Sequence, residues 1–321
     1  MLRVGVPDWS EEDMLAAFPR GIDLIRIPAE PGRETAIDFW IPPVYPRAAQ
    51  KVWPFLSGVK VAQSLLAGVD WLLDLVVGRV TVCDAQGVHN VATAEWAVAA
   101  VLAHLKFFPF YTELQLAGNW VRRKEVDQAY RSLHLLDKPS MPPVLLEEVA
   151  GKTILIVGYG SIGKSIEDRL APFDVRILRV ARSARPGVEP VSRLNGLLPL
   201  ADVVILIVPL TTETTGMIGA QQIALMKRAA LLVNAARGPV VDTNALLGAL
   251  DQGRIRAAID VTDPEPLPEG HPLWHAPNLF ITPHVAASSP AFMSRAFAFA
   301  ATQVARYAAG EPLLNIVSGE Y

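Results

Sequence analysis

The chain has 321 residues, more than one average domain and about the length of two. Hydrophobic residues make up 51% and charged residues 19%, ample for packed cores, while a net charge of −3 and a pI of about 6.1 give no basic footprint for nucleic acid. A single cysteine, Cys83, excludes an internal disulfide, the N-terminus carries acids where a signal peptide needs apolar residues, and the apolar stretches are broken by Arg79, Glu95, His104 or Lys106 before they reach a membrane span. The expectation is a cytoplasmic protein with neither nucleic acid nor membrane as a partner.

In chain order, "LRVGV" (Leu2–Val6), "DLIRI" (Asp23–Ile27), "VKVAQS" (Val59–Ser64) and "VTVCDA" (Val80–Ala85) read as strands separated by helical patterns and turns. "TAEWAVAAVLAHLKFF" (Thr93–Phe108) reads as a long connecting helix with Thr93 as N-cap and Glu95 in its first turn. The polar, proline-bearing stretch from Arg122 to about residue 147 reads as a surface excursion. A second strand series follows, starting at Thr153, Val175, Asp202, Ala230, Ala257 and Leu279. Runs so rich in Val, Ile and Leu suit strands buried on both faces of a parallel sheet. The last helix is framed by Ser289 and Pro290 before it and by Gly310 and Pro312 after it. Strand–helix alternation over the whole length predicts an α/β fold made of two doubly wound parallel-sheet domains.

"TILIVGYGSIGKSIEDRL" carries the sharpest local signal. Gly158, Gly160 and Gly163 form G-x-G-x-x-G directly after a strand, and Ser161 and Ile162 open the following helix. The first glycine allows a tight turn, the second lets a pyrophosphate approach the backbone, the third allows helix–strand packing, and the helix N-terminus offers N–H groups to the phosphates. An acidic partner for the adenosine ribose is expected about 20 residues on, where Ala181 stands. Arg182, Ser183 and Arg185 surround that position instead. Either they bind a 2′-phosphate, which a guanidinium fork suits, or they are solvated loop charges.

Three later loops carry candidate reacting groups: Arg237 in "VNAARGPVVD", Glu265 in "DVTDPEPLP" and His284 in "TPH", each following a predicted strand. Alone, each has an ordinary reading as an ion pair, a turn acid or a loop donor. Together, in loops at the carboxyl ends of one nucleotide-binding sheet, they converge where such sheets bind ligands.

These motifs, with "QSLLAGVD" (Gln63–Asp70), "TAEWAVA" and "VPLTTETTGMI" (Val208–Ile218) in the same order, resemble the D-isomer-specific 2-hydroxyacid dehydrogenase family over nearly the whole chain. The resemblance implies a Rossmann cofactor domain, residues 99–286, inserted into a flavodoxin-like substrate domain, residues 1–98 and 287–321. It implies a homodimer and no metal. It implies that Arg237 binds the carboxylate and carbonyl of a small 2-oxo acid, that His284 is the general acid, and that Glu265 is its partner. Asp260 would anchor the nicotinamide amide, Val208, Pro209 and Ala235 would line the dinucleotide groove, and Leu66, Ala67 and Gly68 would present N–H groups to the substrate carboxylate. "ARSAR" is similar to the pattern of NADP-preferring glyoxylate and hydroxypyruvate reductases, so NADP is the expected cofactor, with NAD the alternative. Trp40 faces either the pocket or the core. Phosphoglycerate, formate and phosphite dehydrogenases, and corepressor-like dinucleotide sensors, share the resemblance and stay open as alternatives.

Overall fold

The computed structural model describes residues 1–76, 78, 80–139 and 141–317. The chain forms two compact units, Met1–Asn90 with the segment from Ser288 onward, and Val91–Ala287. The boundary expected at residue 98 falls inside the helix Asn90–Leu105, which is continuous and belongs to the second unit apart from its first residue.

In the first unit β1 (Arg3–Pro7), β2 (Asp23–Ile27), β3 (Phe39–Trp40), β4 (Val61–Gln63) and β5 (Thr81–Cys83) form one parallel sheet, ordered β2-β1-β3-β4-β5. That is the flavodoxin-like order. Successive side chains go to opposite faces. Val4, Val6, Phe39 and Val61 meet Phe297 and Val304 of the C-terminal helix Phe292–Ala308, while Trp40, Ala62 and Val82 pack on the other side with Leu72. Trp40 is 1% exposed and stacks on Trp53 with ring centroids 5.3 Å apart. Of its two readings, the core one holds.

The second unit has β6 (Thr153–Val157), β7 (Arg176–Ala181), β8 (Glu189–Pro190), β9 (Val203–Leu206), β10 (Leu231–Asn234), β11 (Arg256–Ile259) and β12 (Leu279–Ile281), all parallel and ordered β8-β7-β6-β9-β10-β11-β12. This is the dinucleotide-binding order with one strand added. Leu155, Val204, Leu232 and Ala257 build the core on one face. Ile154, Ile156, Ile205 and Val233 meet Ala94, Ala97 and Val101 of the long helix on the other. Two covered faces explain why these strands lack polar alternation.

Two sequence expectations are corrected. The long helix starts at Asn90, so Thr93 lies inside it, 4% exposed, and is not its N-cap. The stretch from Arg122 to 147 is no simple surface excursion. Glu125–His134 is a helix with Val126, Asp127 and Leu133 buried, and Glu147 sits in a buried ion pair with Arg256 at 2.8 Å, joined by Lys152 at 2.9 Å. Among the described residues no single helix is long and apolar enough to cross a membrane.

Candidate active site

β6 ends at Val157 and the chain turns at Gly158, whose φ of +102° suits glycine. A Cβ there would lie 2.4 Å from the Ile207 carbonyl oxygen. At Gly163 it would lie 3.0 Å from the Gly158 carbonyl oxygen and 3.2 Å from Ile156 Cγ2, so this glycine sets the approach of helix to strand. Gly160 differs. It caps the helix Ser161–Leu170, and a Cβ added to it would meet no protein atom within 4 Å. Open space therefore lies before the N–H groups that Ser161, Ile162 and their neighbours present at the helix start, which fits a pyrophosphate.

Ala181 closes β7, and Arg182, Ser183 and Arg185 beyond it are exposed. Arg185 donates to the Tyr159 carbonyl and stands 5.7 Å from the Tyr159 ring centroid, which holds it beside the glycine turn. The neighbouring Arg179 is already engaged. It pairs with Glu167 (Nε–Oε2 2.6 Å), and its guanidinium carbon lies 5.6 Å from the Tyr159 ring centroid. Val208 and Pro209 follow β9, and Ala235 follows β10, at the same carboxyl edge.

The loop after β10 is shaped by Asn234, 1% exposed, whose side chain donates to the Arg237 carbonyl (3.1 Å) and accepts from Ala236 N (3.0 Å). Sequence reasoning overlooked Asn234. The polar final residue of an otherwise apolar strand was the available signal. Gly238 presses this loop against the next: a Cβ on it would come 1.9 Å from the Thr262 carbonyl oxygen.

Asp260, 3% exposed, follows β11. Its Oδ1 accepts from Val285 N (2.9 Å) and Thr282 Oγ1 (2.5 Å), its Oδ2 from Ala286 N (2.8 Å), and its carbonyl from His284 N (2.7 Å). Both carboxylate oxygens thus fasten the turn that carries His284, a residue held at φ +53°. The His284 imidazole lies with Nδ1 2.6 Å from Glu265 Oε1, and the two side chains are 45% and 40% exposed. The hydrogen bond from Glu265, then its charge, raises the His284 pKa above the ordinary histidine value, against burial and the Arg237 charge, which both oppose the proton. In return the bond from His284 lowers the Glu265 pKa, helped by Arg237. Three of the predicted groups therefore gather at one sheet edge and share a field. Leu66, Ala67 and Gly68 lie in the first unit, on the loop after β4, where Leu66 N donates to Ser64 Oγ (2.9 Å) and Ala85 N donates to the Leu66 carbonyl (3.0 Å). Among the described residues no group of three His, Cys, Asp or Glu side chains is placed to hold a metal ion.

A glycine turn before a helix N-terminus, at the carboxyl edge of a dinucleotide-order sheet that also bears an imidazole–carboxylate pair, defines a nicotinamide dinucleotide oxidoreductase. Residues 98–286 match the profile of the D-isomer specific 2-hydroxyacid dehydrogenase NAD-binding domain. The chain is 37% identical over 242 residues to a glyoxylate reductase of Thermofilum pendens, covering 73% of this chain and 67% of that one. The fold superposes on an NADPH-dependent glyoxylate/hydroxypyruvate reductase from Sinorhizobium meliloti, solved with NADP and sulfate (TM-score 0.80, 27% identity, 99% and 98% of the chains). It also superposes on a D-isomer specific 2-hydroxyacid dehydrogenase from Xanthobacter autotrophicus, solved with NADPH and MES (TM-score 0.78, 27% identity, 99% and 98%). The chain belongs to the D-isomer-specific 2-hydroxyacid dehydrogenase family.

Proposed function

We propose that the protein reduces a small 2-oxo acid, such as glyoxylate or hydroxypyruvate, to the 2-hydroxy acid (the D form where the product carbon is chiral), with NADPH preferred over NADH. The observation that carries this reading is the 2.6 Å His284–Glu265 bond with the raised His284 pKa. A 2-oxo acid needs a cation at its carboxylate and a proton donor at the oxygen that becomes alkoxide-like. Arg237 supplies the cation; the Leu66 N–H, which the sequence assigned to the substrate carboxylate together with those of Ala67 and Gly68, is already donated to Ser64 Oγ. His284 delivers the proton from Nε2 while Glu265 holds Nδ1 and fixes the ring. A dihydronicotinamide, when bound, would supply the hydride. Asp260 keeps the His284 turn in place and, on this reading, borders the nicotinamide amide. Val208, Pro209 and Ala235 line the groove. A homodimer belongs to the same proposal, supported by exposed Phe108, Leu116, Trp120, Val121 and Met141 in the second unit, and light scattering of the purified protein tests it.

The cofactor preference is supported by Ala181, which offers no acceptor to a 2′-hydroxyl, and by the exposed Arg182, Ser183 and Arg185. Arg182 has its guanidinium available to a 2′-phosphate, and Arg185 is steadied by Tyr159. One charge-assisted contact is worth about 1.5–3 kcal/mol, a preference for NADPH of order 10- to 150-fold, trimmed by solvent and salt. The test is a panel of 2-oxo acids with each cofactor, followed by loss of the reduced-nicotinamide absorbance. Arg182→Ala should raise the KM for NADPH and leave that for NADH nearly unchanged. Equal kcat/KM for both cofactors in the native protein would return the arginines to solvated loop charges.

A further inference from the structure

Ala181 leaves the end of β7 without a carboxylate of its own, yet one reaches that face from the helix before it. Gly158 N and Tyr159 N both donate to the Val180 carbonyl (2.9 Å each), which ties the glycine turn to the last residues of β7. Side chains two apart on a strand share a face, so Arg179 points the way Ala181 does, while Val180, 1% exposed, goes to the core. There Arg179 meets Glu167, from the second turn of the helix Ser161–Leu170. Its Nε donates to Oε2 (2.6 Å) and its Nη2 to Oε1, a two-pronged pair, and the Tyr159 hydroxyl donates to the same Oε2 (2.6 Å). Lys164, on the same helix, is taken by Asp168 (3.2 Å). Among the described residues, Arg179 is the one cation paired with Glu167.

The Arg179 bond is the main cause that lowers the Glu167 pKa, so the carboxylate is ionised and full charge faces full charge. The Glu167 side chain is 21% exposed and that of Arg179 29%, so water alone would not cancel the carboxylate. The two cofactors differ at one place. NADPH carries roughly two negative charges on its ribose 2′-phosphate where NADH has a neutral hydroxyl. An unpaired carboxylate on the Ala181 face would repel the phosphate and hardly act on the hydroxyl. Paired, it presents only a dipole, whose field dies off faster than that of a bare charge.

We propose that Arg179 is a positioning residue for NADPH specificity: without binding the cofactor, it holds and cancels the Glu167 carboxylate on the face where Arg182 and Arg185 receive the 2′-phosphate. The inference rests on the assignment of those two arginines under the proposed function. Arg179→Met keeps the aliphatic length and removes the charge. By titration calorimetry with each reduced cofactor, the expected result is a rise of about fivefold in the Kd for NADPH, with that for NADH within about twofold. The ratio of variant to native Kd should shrink toward one in about 1 M KCl, where the screening length falls to about 3 Å. Adding Glu167→Gln should return the NADPH Kd to within about twofold of native, because it removes the charge that Arg179 had cancelled. A raised Kd that the second substitution does not rescue, or that salt does not diminish, would make the pair a structural brace and overturn the proposal. Glu167→Gln alone keeps an acceptor for Tyr159 and leaves Arg179 with excess charge, so it stands in should Arg179→Met fail to fold. The NADPH Kd should then fall by about two- to threefold, and a Kd unchanged or raised would overturn the proposal. Arg182→Ala tests the underlying assignment. If the native protein binds both cofactors alike and Arg182→Ala moves neither Kd, the assignment falls, and this proposal with it. If Arg182→Ala raises the NADPH Kd while Arg179→Met does not, the cancellation falls and the assignment stands.

Discussion

The second unit contains two groups of the same three residue types, His, Glu and Arg, at opposite ends of strands of one sheet. His284, Glu265 and Arg237 stand in loops beyond the carboxyl ends. Glu147 and Arg256 pair at the start of β11, each less than a tenth exposed, and the Arg256 charge bears on buried His104. The fates of the two imidazoles are opposite. A half-exposed ring with a carboxylate on Nδ1 holds its proton more firmly than usual. Burial, seconded by Arg256, drives the His104 pKa down to about 3, so that ring stays neutral. In Glu147 burial opposes the charge, but Arg256 and Lys152 outweigh it and keep the carboxylate ionised. Residue type does not distinguish a proton-transfer site from a structural clamp. Solvent access and the sign of the nearest charge do.

His284→Ala is the strongest way to break this contrast. Turnover should fall by roughly 10²-fold or more, as a positioned acid contributes about 10²–10⁴, while NADPH affinity stays. Near-native turnover would take His284 out of the chemistry. Glu147→Ala should do the reverse. It strands the Arg256 guanidinium in the interior, and breaking a buried pair costs about 3–5 kcal/mol, read from denaturant unfolding. Its kcat/KM, measured well below the unfolding transition, should match the native enzyme. A loss of kcat/KM there would mean the clamp reaches the site.

A finer comparison uses pH. On the proposed mechanism reduction uses protonated His284, so activity should be present below its raised pKa and be lost as pH climbs through it. Glu265→Gln removes the main cause of that rise, and the alkaline limb of the kcat/KM profile should move to lower pH. An unmoved limb would assign it to another group. The smallest effect belongs to His104. Its folded pKa lies near 3 against an ordinary 6.5, so the unfolded chain takes up the proton first, and stability drains as pH falls through that window. His104→Leu should flatten this stretch of the stability–pH curve, and an unchanged slope would show that other groups produce it.

The two sheets were legible because strands covered on both faces write continuous Val, Ile and Leu runs. The glycine turn was legible from its spacing; a steric demand is visible at Gly158 and Gly163, while Gly160 faces open space. β3 escaped notice since two residues, Phe39 and Trp40, followed by Ile41 and two prolines, carry no period. The helix Glu125–His134 was hidden by its polar face, and Thr93 looked like a cap because nothing local shows that the helix starts three residues earlier. Glu147 and Arg256 are 109 positions apart, and no sequence spacing announces such a pair. Arg179, three residues before Arg182, is set apart only by the fold, which places Glu167 beside it. Asn234 belongs to the same class. Its role is geometric, and geometry of that kind is written only in three dimensions.

The contact at Gly238 has a bearing on how this site can change. With the Thr262 carbonyl where a side chain would begin, the loop of Arg237 and the loop that leads to Glu265 are in main-chain contact, with no room for a spacer. The width of the gap between cation and imidazole–carboxylate pair is therefore a property of the backbone. Substitutions around the rim leave that spacing in place, because main chain rather than side chain sets it. Even a methyl group at this position would act as a wedge, separating the two loops and detuning both at once.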